Sequence, residues 1–319
     1  MPLPERKLIE RIKRAANARS RVLIRGIGDD CAVLRPPRGH EILVTTDFSI
    51  EDVHFRRQWH PPESVGHRCL ARGLSDIAAM GGEPLAAFLS LALPKDIPQR
   101  WADGFLRGLM KLAREFKVPL AGGDIAQSPA GVLADIIVVG SAPQGGGLLR
   151  SGACIGDAIY VTGTLGASAA AIQLFRAGKK LRPAQYPALF FPEPRIAAGR
   201  MLRQRRLATA AIDLSDGLST DLSHICEESG VGAAVYAESV PVARGATLEL
   251  ALHGGEDYEL LFTARGNMRV PKEIGGVRVS RIGEIIRGSR VFLADGAGQV
   301  NPLPPRGWEH FRQTVAGGG

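Results

Sequence analysis

The 319-residue chain has little of what several familiar kinds of site require. Its four cysteines, Cys31, Cys69, Cys154 and Cys226, are far apart and form no CxxC pair. A zinc centre or a disulfide framework is therefore not expected, and the four are read as small buried apolar residues. No stretch approaches the roughly 18 uninterrupted apolar residues of a membrane helix. The opening MPLPERKLIERIKRAANARS is charged and helix-like, without the apolar core of a signal peptide. A cytoplasmic chain with no membrane partner is expected. Aromatic residues make up only 6% and do not interleave with basic ones. The net charge is +8 and the pI about 9.6, but the basic residues fall in scattered segments such as FRRQ and MLRQRRL. They read as solvated faces, and nucleic acid is not an expected partner. Low-complexity tracts are also missing, which excludes extended disorder.

What is present is ordinary for a globular protein: 45% hydrophobic and 23% charged residues, with 39 glycines and 21 prolines to supply turns. The length favours two domains over one core. The first half reads as a helix over residues 5–18, then strands EILVTTDF and AAFLSLALP among helices ESVGHRCLARGLSDIAAMGG and PQRWADGFLRGLMKLAREF. VPLAGGD and GVLADIIVVGSA follow as strands. Three consecutive glycines in PQGGGLLRSGACIGD mark a linker, and the boundary is set between residues 147 and 148. The second half restarts with strand DAIYVTGTLG and helix ASAAAIQLFRAG, has a helix at 194–206, and runs strand into helix through ATAAIDLSDGLSTDLSHICEESG. AAVYAES, YELLFTA, VRVSRIGEI and RVFLADG complete it as strands, so the class is α/β or α+β in two domains, 1–147 and 148–319.

Acid is unevenly distributed. Five segments, GIGDDCAVL, TTDFSIEDVHF, AGGD, IDLSDGLSTDL and GGEDYEL, hold twelve of the 32 acidic residues and no Lys or Arg. The remaining 20 acids face all 40 basic residues elsewhere. Two unit charges 4 Å apart interact by about 4 kcal/mol at an effective dielectric of 20. Clustered carboxylates must then take up protons or bind cations. Asp, Thr and backbone oxygens are hard ligands that suit Mg²⁺ or Mn²⁺, and the near absence of His and Cys disfavours zinc. Taken singly, each segment also has a structural reading. Asp-Gly and Asp-Asp are common in turns, Asp216 at a helix start serves as an N-cap, Thr45 and Thr46 end a strand, and AGGD is a tight turn or a phosphate-binding loop. The tripeptide Leu-Ser-Asp occurs at 74–76 and 214–216, a hint of related halves.

In order, these segments resemble the thiamine-monophosphate kinase family, within the aminoimidazole-ribonucleotide-synthetase-like superfamily. The resemblance also takes in LSDIAAMGGEP, LLRSGACIGD, YVTGTLG and the closing GWEHF, and so covers nearly the whole chain. It implies transfer of the γ-phosphoryl group of ATP to thiamine monophosphate, giving thiamine diphosphate and ADP. It also implies several Mg²⁺ ions and a homodimer paired through the N-terminal sheets, with a C-terminal α/β domain closing the cleft. By motif position, Asp30, Thr45, Thr46, Asp47, Asp76, Asp124, Asp213 and Asp216 resemble the magnesium ligands. Gly123, Asp124, Arg150 and Ser215 resemble the ATP contacts, and His54, Glu256 and Trp308 the thiamine-phosphate contacts. No general base is implied: ATP and a phosphate monoester together carry about six negative charges, and the acceptor oxygen is already anionic. Positioning and charge neutralisation then carry the reaction. On that reading Asp30 points at metal and Asp29 turns away or binds through water.

The chain departs from the family in Ile125 and Ala126 after AGGD, where Thr and a polar residue are usual, and in Leu106, where a tyrosine often lies beside the adenine. Two rivals remain. Another superfamily enzyme is one: a selenophosphate synthetase requires a reactive Cys before Cys31, and the hydrogenase-maturation dehydratase a cysteine tail where this sequence reads AGGG. A non-catalytic binder of Mg-nucleotide or thiamine diphosphate is the other, and it needs fewer acids.

Overall fold

The computed structural model describes residues 4–16, 20–28 and 30–311. The N-terminal half runs α1 (Glu5–Ala15), β1 (Leu23–Arg25), β2 (Val33–Leu34), β3 (His40–Ile50), α2 (Pro62–Ala79), β4 (Glu83–Pro94), α3 (Gln99–Glu115), β5 (Leu120–Ser128) and β6 (Leu133–Pro143). The C-terminal half runs β7 (Ala158–Thr162), α4 (Ala167–Arg176), α5 (Pro187–Phe190), α6 (Ile196–Gln204), β8 (Ala210–Asp213), α7 (Leu218–Ser229) and β9 (Gly232–Tyr236). It closes with α8 (Leu248–His253), β10 (Leu260–Ala264), β11 (Glu273–Ile274), β12 (Val277–Ile286), β13 (Val291–Ala294) and β14 (Val300–Pro302).

Two mixed sheets organise these elements. The first has the order β3-β6-β4-β5, antiparallel except for the parallel pair β4/β5. The second has the order β14-β13-β9-β12-β7-β10-β8, antiparallel except β9/β13, with β11 beside β12. In the first sheet the alternation of the sequence decides the faces: Leu89, Leu91 and Leu93 of β4 and Ala134, Ile136 and Val138 of β6 are buried under helices. On the opposite face Ile42, Val44 and Phe48 of edge strand β3 stay exposed.

Helix α2 starts with Pro62 in its first turn, where a missing N–H costs nothing, and stops before Gly81-Gly82. It is buried on nearly all sides, which no amphipathic surface helix would be. A Cβ on Gly66 would sit 1.9 Å from Phe105 O, and one on Gly108 1.8 Å from Glu63 O, so α2 and α3 touch backbone to backbone. The main apolar cluster continues from α2 into Ile196 and Leu202 of α6, Leu260 and Phe262 of β10 and Val279 of β12. The other face of that second sheet packs Val161, Leu261 and Ile282 against Leu222 and Ile225 of α7. β10 is therefore buried along its whole length, as a strand covered on both faces must be. The two halves thus meet on α2 through shared core, and the coil over residues 144–157 joins them in sequence.

Several expectations change. The first helix ends at Ala15, and residues 17 and 18 of the expected span lie outside the described residues. Thr45 and Thr46 lie within β3 instead of at its end. AGGD is part of strand β5 and neither a turn nor a loop. Cys31 and Cys154 are exposed; only Cys69 and Cys226 are buried. Leu106 is a buried core residue of α3. No helix among the described residues is long and apolar enough to cross a membrane.

Candidate active site

The acids that converge come from three elements. The inward face of β3 carries Thr45 and Asp47, α2 carries Ser75 and Asp76, and β8 ends in Asp213. Thr45 Oγ1 donates to Asp76 Oδ2, and Ser75 Oγ donates to Asp213 Oδ2 at 2.6 Å. The two Leu-Ser-Asp tripeptides differ in setting, one inside α2 and one in the β8–α7 turn, yet they border the same cluster. Burial first, and the Asp76 charge second, push Asp47 up to about 7, and the same two causes push Asp213 up to about 7. Burial also raises Asp76. Three carboxylates cannot all ionise here at neutral pH without a compensating cation.

This cluster forms one side of a cavity of about 870 Å³. His54, Ser215, Asp216, Glu256 and Trp308 also line it, and Val53, Phe55, Trp59, Ile172 and Leu250 add apolar surface. Arg306, Gly307, Trp308 and His310 of the C-terminal segment line the cavity too. Trp308 N donates to Asp216 O at 3.0 Å, and the His310 ring lies 5.6 Å from that of His54. His54 Nδ1 accepts from Ile50 N at 3.0 Å, and burial together with the Arg72 charge lowers its pKa to about 4. It is thus a neutral imidazole with Nε2 as its remaining ring nitrogen. Glu256 lies within the turn that follows α8, with φ of +64°, pinned by its N–H to Ser215 O at 2.7 Å. Burial alone would raise its pKa, but Arg68 and Arg72 hold it below the usual range. The segments IDLSDG and GGEDYEL are one structural unit, because Tyr258 N also donates to Leu214 O at 2.9 Å.

Not all expected residues reach this cluster. Asp30, Gly123 and Asp124 share a second cavity of about 430 Å³ beside α1, and Asp29 lies outside the described residues. Thr46 turns its hydroxyl to the other face of the sheet, donating to Asp135 Oδ1 at 2.7 Å. Gly123 has φ of +145°, and a Cβ there would lie 1.8 Å from Leu89 O, so the neighbouring strand by itself demands glycine. Arg150 is exposed on the coil between the halves, and its charge works against the pKa rise of Asp76, Asp213 and Asp216. Asp216 does not cap α7. The N-cap of that helix is Gly217, and the Asp221 carboxylate reaches back from inside the helix to accept from Gly217 N at 3.0 Å and Asp216 N at 3.2 Å.

Other acids of the five segments have local structural work. Glu51 pairs with Arg57 and accepts from Val132 N at 2.9 Å. Asp257, pushed up to about 8 by burial, accepts from Gly166 N at 3.0 Å at the start of α4. Glu259 is buried against Arg195, 2.6 Å away, and Thr162. The sequence reading missed Arg68 and Arg72 altogether. With Asp76 they recur every four residues along one face of the largely buried α2, a spacing legible in the sequence. It also missed Trp59, which stacks on Phe175 at 5.1 Å.

Two family models match the chain: AIR synthase related protein, N-terminal domain, over residues 28–142, and the C-terminal domain of the same family over residues 155–296. The chain is 37% identical over 308 residues to a thiamine-monophosphate kinase of Salmonella typhimurium, covering 90% of this chain and 91% of that one. Among solved structures, the thiamine-monophosphate kinase from Stenotrophomonas maltophilia matches with a TM-score of 0.80 and 36% identity, over 90% of this chain and 95% of that one. AaThiL complexed with AMPPCP and TMP matches with a TM-score of 0.77 and 32% identity, over 97% of each.

Proposed function

The chain belongs to the thiamine-monophosphate kinases of the AIR synthase related family, and from that premise and the geometry above we infer that it transfers the γ-phosphoryl group of ATP to thiamine monophosphate, releasing ADP and thiamine diphosphate. The observation that carries the site assignment is the meeting of Asp47, Asp76 and Asp213, from both halves of the chain, in the wall of one cavity that apolar side chains also line. The donors there are carboxylate and hydroxyl oxygens alone, and the raised pKa values mark a site short of positive charge. Both features fit Mg²⁺. Asp47, Asp76 and Asp213, with Thr45 and Asp216 beside them, would hold it, and Asp30 and Asp124 would hold a further ion at the second cavity. Bound there, Mg²⁺ supplies charge neutralisation for the phosphates.

The protein's own groups do the rest. Ser215 and Arg150 flank the carboxylates on the C-terminal side and are assigned to the nucleotide, together with Gly123 and Asp124. Neutral His54 donates from Nε2 to the acceptor phosphate. Trp308, Trp59 and the apolar surface of the cavity receive the aromatic rings of the acceptor, and Glu256 answers its cationic ring. An anionic phosphate oxygen attacks without losing a proton, so no general base is needed. Purified protein with ATP, Mg²⁺ and thiamine monophosphate should yield thiamine diphosphate and ADP in equal amounts by chromatography. Inorganic phosphate released with no diphosphate formed would overturn this reading.

The enzyme is read as acting in the cytoplasm, where its co-substrate ATP is supplied, and as a homodimer. Ile42, Val44 and Phe48, exposed by 45%, 66% and 54%, form an apolar row on edge strand β3, a surface that invites pairing with a second copy. Val44→Glu should sediment as a monomer with an unchanged circular dichroism spectrum. A variant that sediments like the parent chain would exclude this face as the interface.

A further inference from the structure

Two arginines one helical turn apart on α2 lie beside Glu256, and their surroundings differ. Arg68 is 4% exposed and its donors are committed: Nη1 to Leu189 O at 2.5 Å, and Nη2 to Glu256 Oε1 at 2.5 Å and His54 O at 3.4 Å. It ties the α2 face to the loop that holds Glu256. Arg72 lines the large cavity and is held at longer range. Its Nε is 3.6 Å from Asp47 Oδ1 and its Nη1 3.9 Å from Glu256 Oε1, and the buried Nε has no hydrogen-bond partner. Asp47 belongs to the carboxylate cluster and Glu256 to the acceptor contacts. Arg72 therefore stands at the seam between the two, a permanent cation whose ion pairs are both longer than a hydrogen bond. Its side chain is 16% exposed where it lines the cavity, and a planar guanidinium matches phosphate oxygens two at a time.

We propose that Arg72 is a catalytic residue of this transfer, its guanidinium donating both to the acceptor phosphate and to the phosphoryl group in transit; this rests on the reaction assigned above. An acceptor-phosphate oxygen forms its bond to the γ-phosphorus with its own electron pair. The bond from that phosphorus to the β–γ bridging oxygen breaks, and its pair leaves with ADP. Arg72 gives up no proton. It supplies positive charge where two anions are forced together, which is the main barrier to the step.

The test compares wild type, Arg72→Met and Arg72→Lys as full-length chains. It measures kcat and KM, calorimetric binding of thiamine monophosphate and of unphosphorylated thiamine, and thermal melting. Arg72→Met should lose about 10²–10³-fold in kcat. It should bind thiamine monophosphate about tenfold or more weakly while its affinity for thiamine stays within about twofold, since only the first ligand has the phosphate. Arg72→Lys should regain much of the binding but stay at least about tenfold low in kcat, because an ammonium cannot fork between two phosphoryl groups. A kcat within about fivefold of wild type in Arg72→Met overturns the proposal. So does an equal loss of both ligands, which would mark Arg72 as a prop for Glu256. If Arg72→Met does not fold, a wild-type kcat in Arg72→Lys overturns it alone. A wild type that forms no thiamine diphosphate brings down the reaction, and the proposal with it, before any substitution is compared.

Discussion

Asp76→Asn is expected to lower kcat about a thousandfold, equivalent to about 4 kcal/mol of transition-state stabilisation, without lowering the melting temperature. Asp76 is the hub of the cluster. It accepts from Thr45, its charge is a cause of the raised pKa of both Asp47 and Asp213, and it comes from the helix through which the two halves share their core. An asparagine keeps the shape and can still accept from Thr45, so packing is preserved. What disappears is one negative charge from a cluster of three carboxylates, of which Asp213 is buried and the other two half-buried. In metal-free protein that removal relieves repulsion, so the apo fold should melt at the same temperature or higher. In the assay the same removal takes away a ligand for Mg²⁺ and cannot be made good by more of it. Near-normal turnover at saturating Mg²⁺ would remove Asp76 from the site.

The metal-free protein should lose stability as pH rises from about 4 to about 7, and Mg²⁺ should restore it. Asp47 and Asp213 titrate near 7 in the folded state against a usual value of 3.8. Between those values the folded chain holds protons that the unfolded chain has released, so stability falls with pH across that window and levels off above it. Three pH units on one carboxylate correspond to on the order of 4 kcal/mol, and because the two share one cluster their effects do not simply add. Other groups titrate in the same range, so the informative quantity is the difference between wild type and Asp213→Asn. The variant should overtake wild type in melting temperature as pH rises towards 7, and at pH 7.5 it should gain less from Mg²⁺. A difference that does not change with pH would show that the Asp213 carboxylate is not held in the strained state described here.

Much of the fold is legible in the sequence because it depends on near neighbours. The alternation in AAFLSLALP gives β4, whose Leu89, Leu91 and Leu93 are buried, and the helical spacing of residues 63–79 gives most of α2. Where an element's two faces meet different surroundings, the reading went astray. AGGD, read both as the end of a strand and as a turn or loop, lies inside the strand, because β4 passes so close to Gly123 that glycine is required within the sheet. Thr45 and Thr46 are adjacent in sequence and part to opposite faces, one towards Asp76 and the other towards Asp135, as the period of two in a strand compels.

Sequence by itself determined that acid is gathered beside glycine and hydroxyl groups and that hard-oxygen chemistry, not thiol or imidazole chemistry, was to be expected. Only the tertiary structure decided which acids meet. Ser75 and Asp213 are 138 residues apart and within hydrogen-bond distance, whereas Asp257 and Glu259, beside Glu256, are spent on a helix start and on Arg195. It also decided that Arg68 is consumed by its neighbours while Arg72 lines the cavity and is held only by longer ion pairs. The physical reason is range. Periodicity and turn chemistry act over a few residues, while burial, repulsion between carboxylates and the fate of each N–H depend on groups that only the packing of α2 between the two sheets brings together.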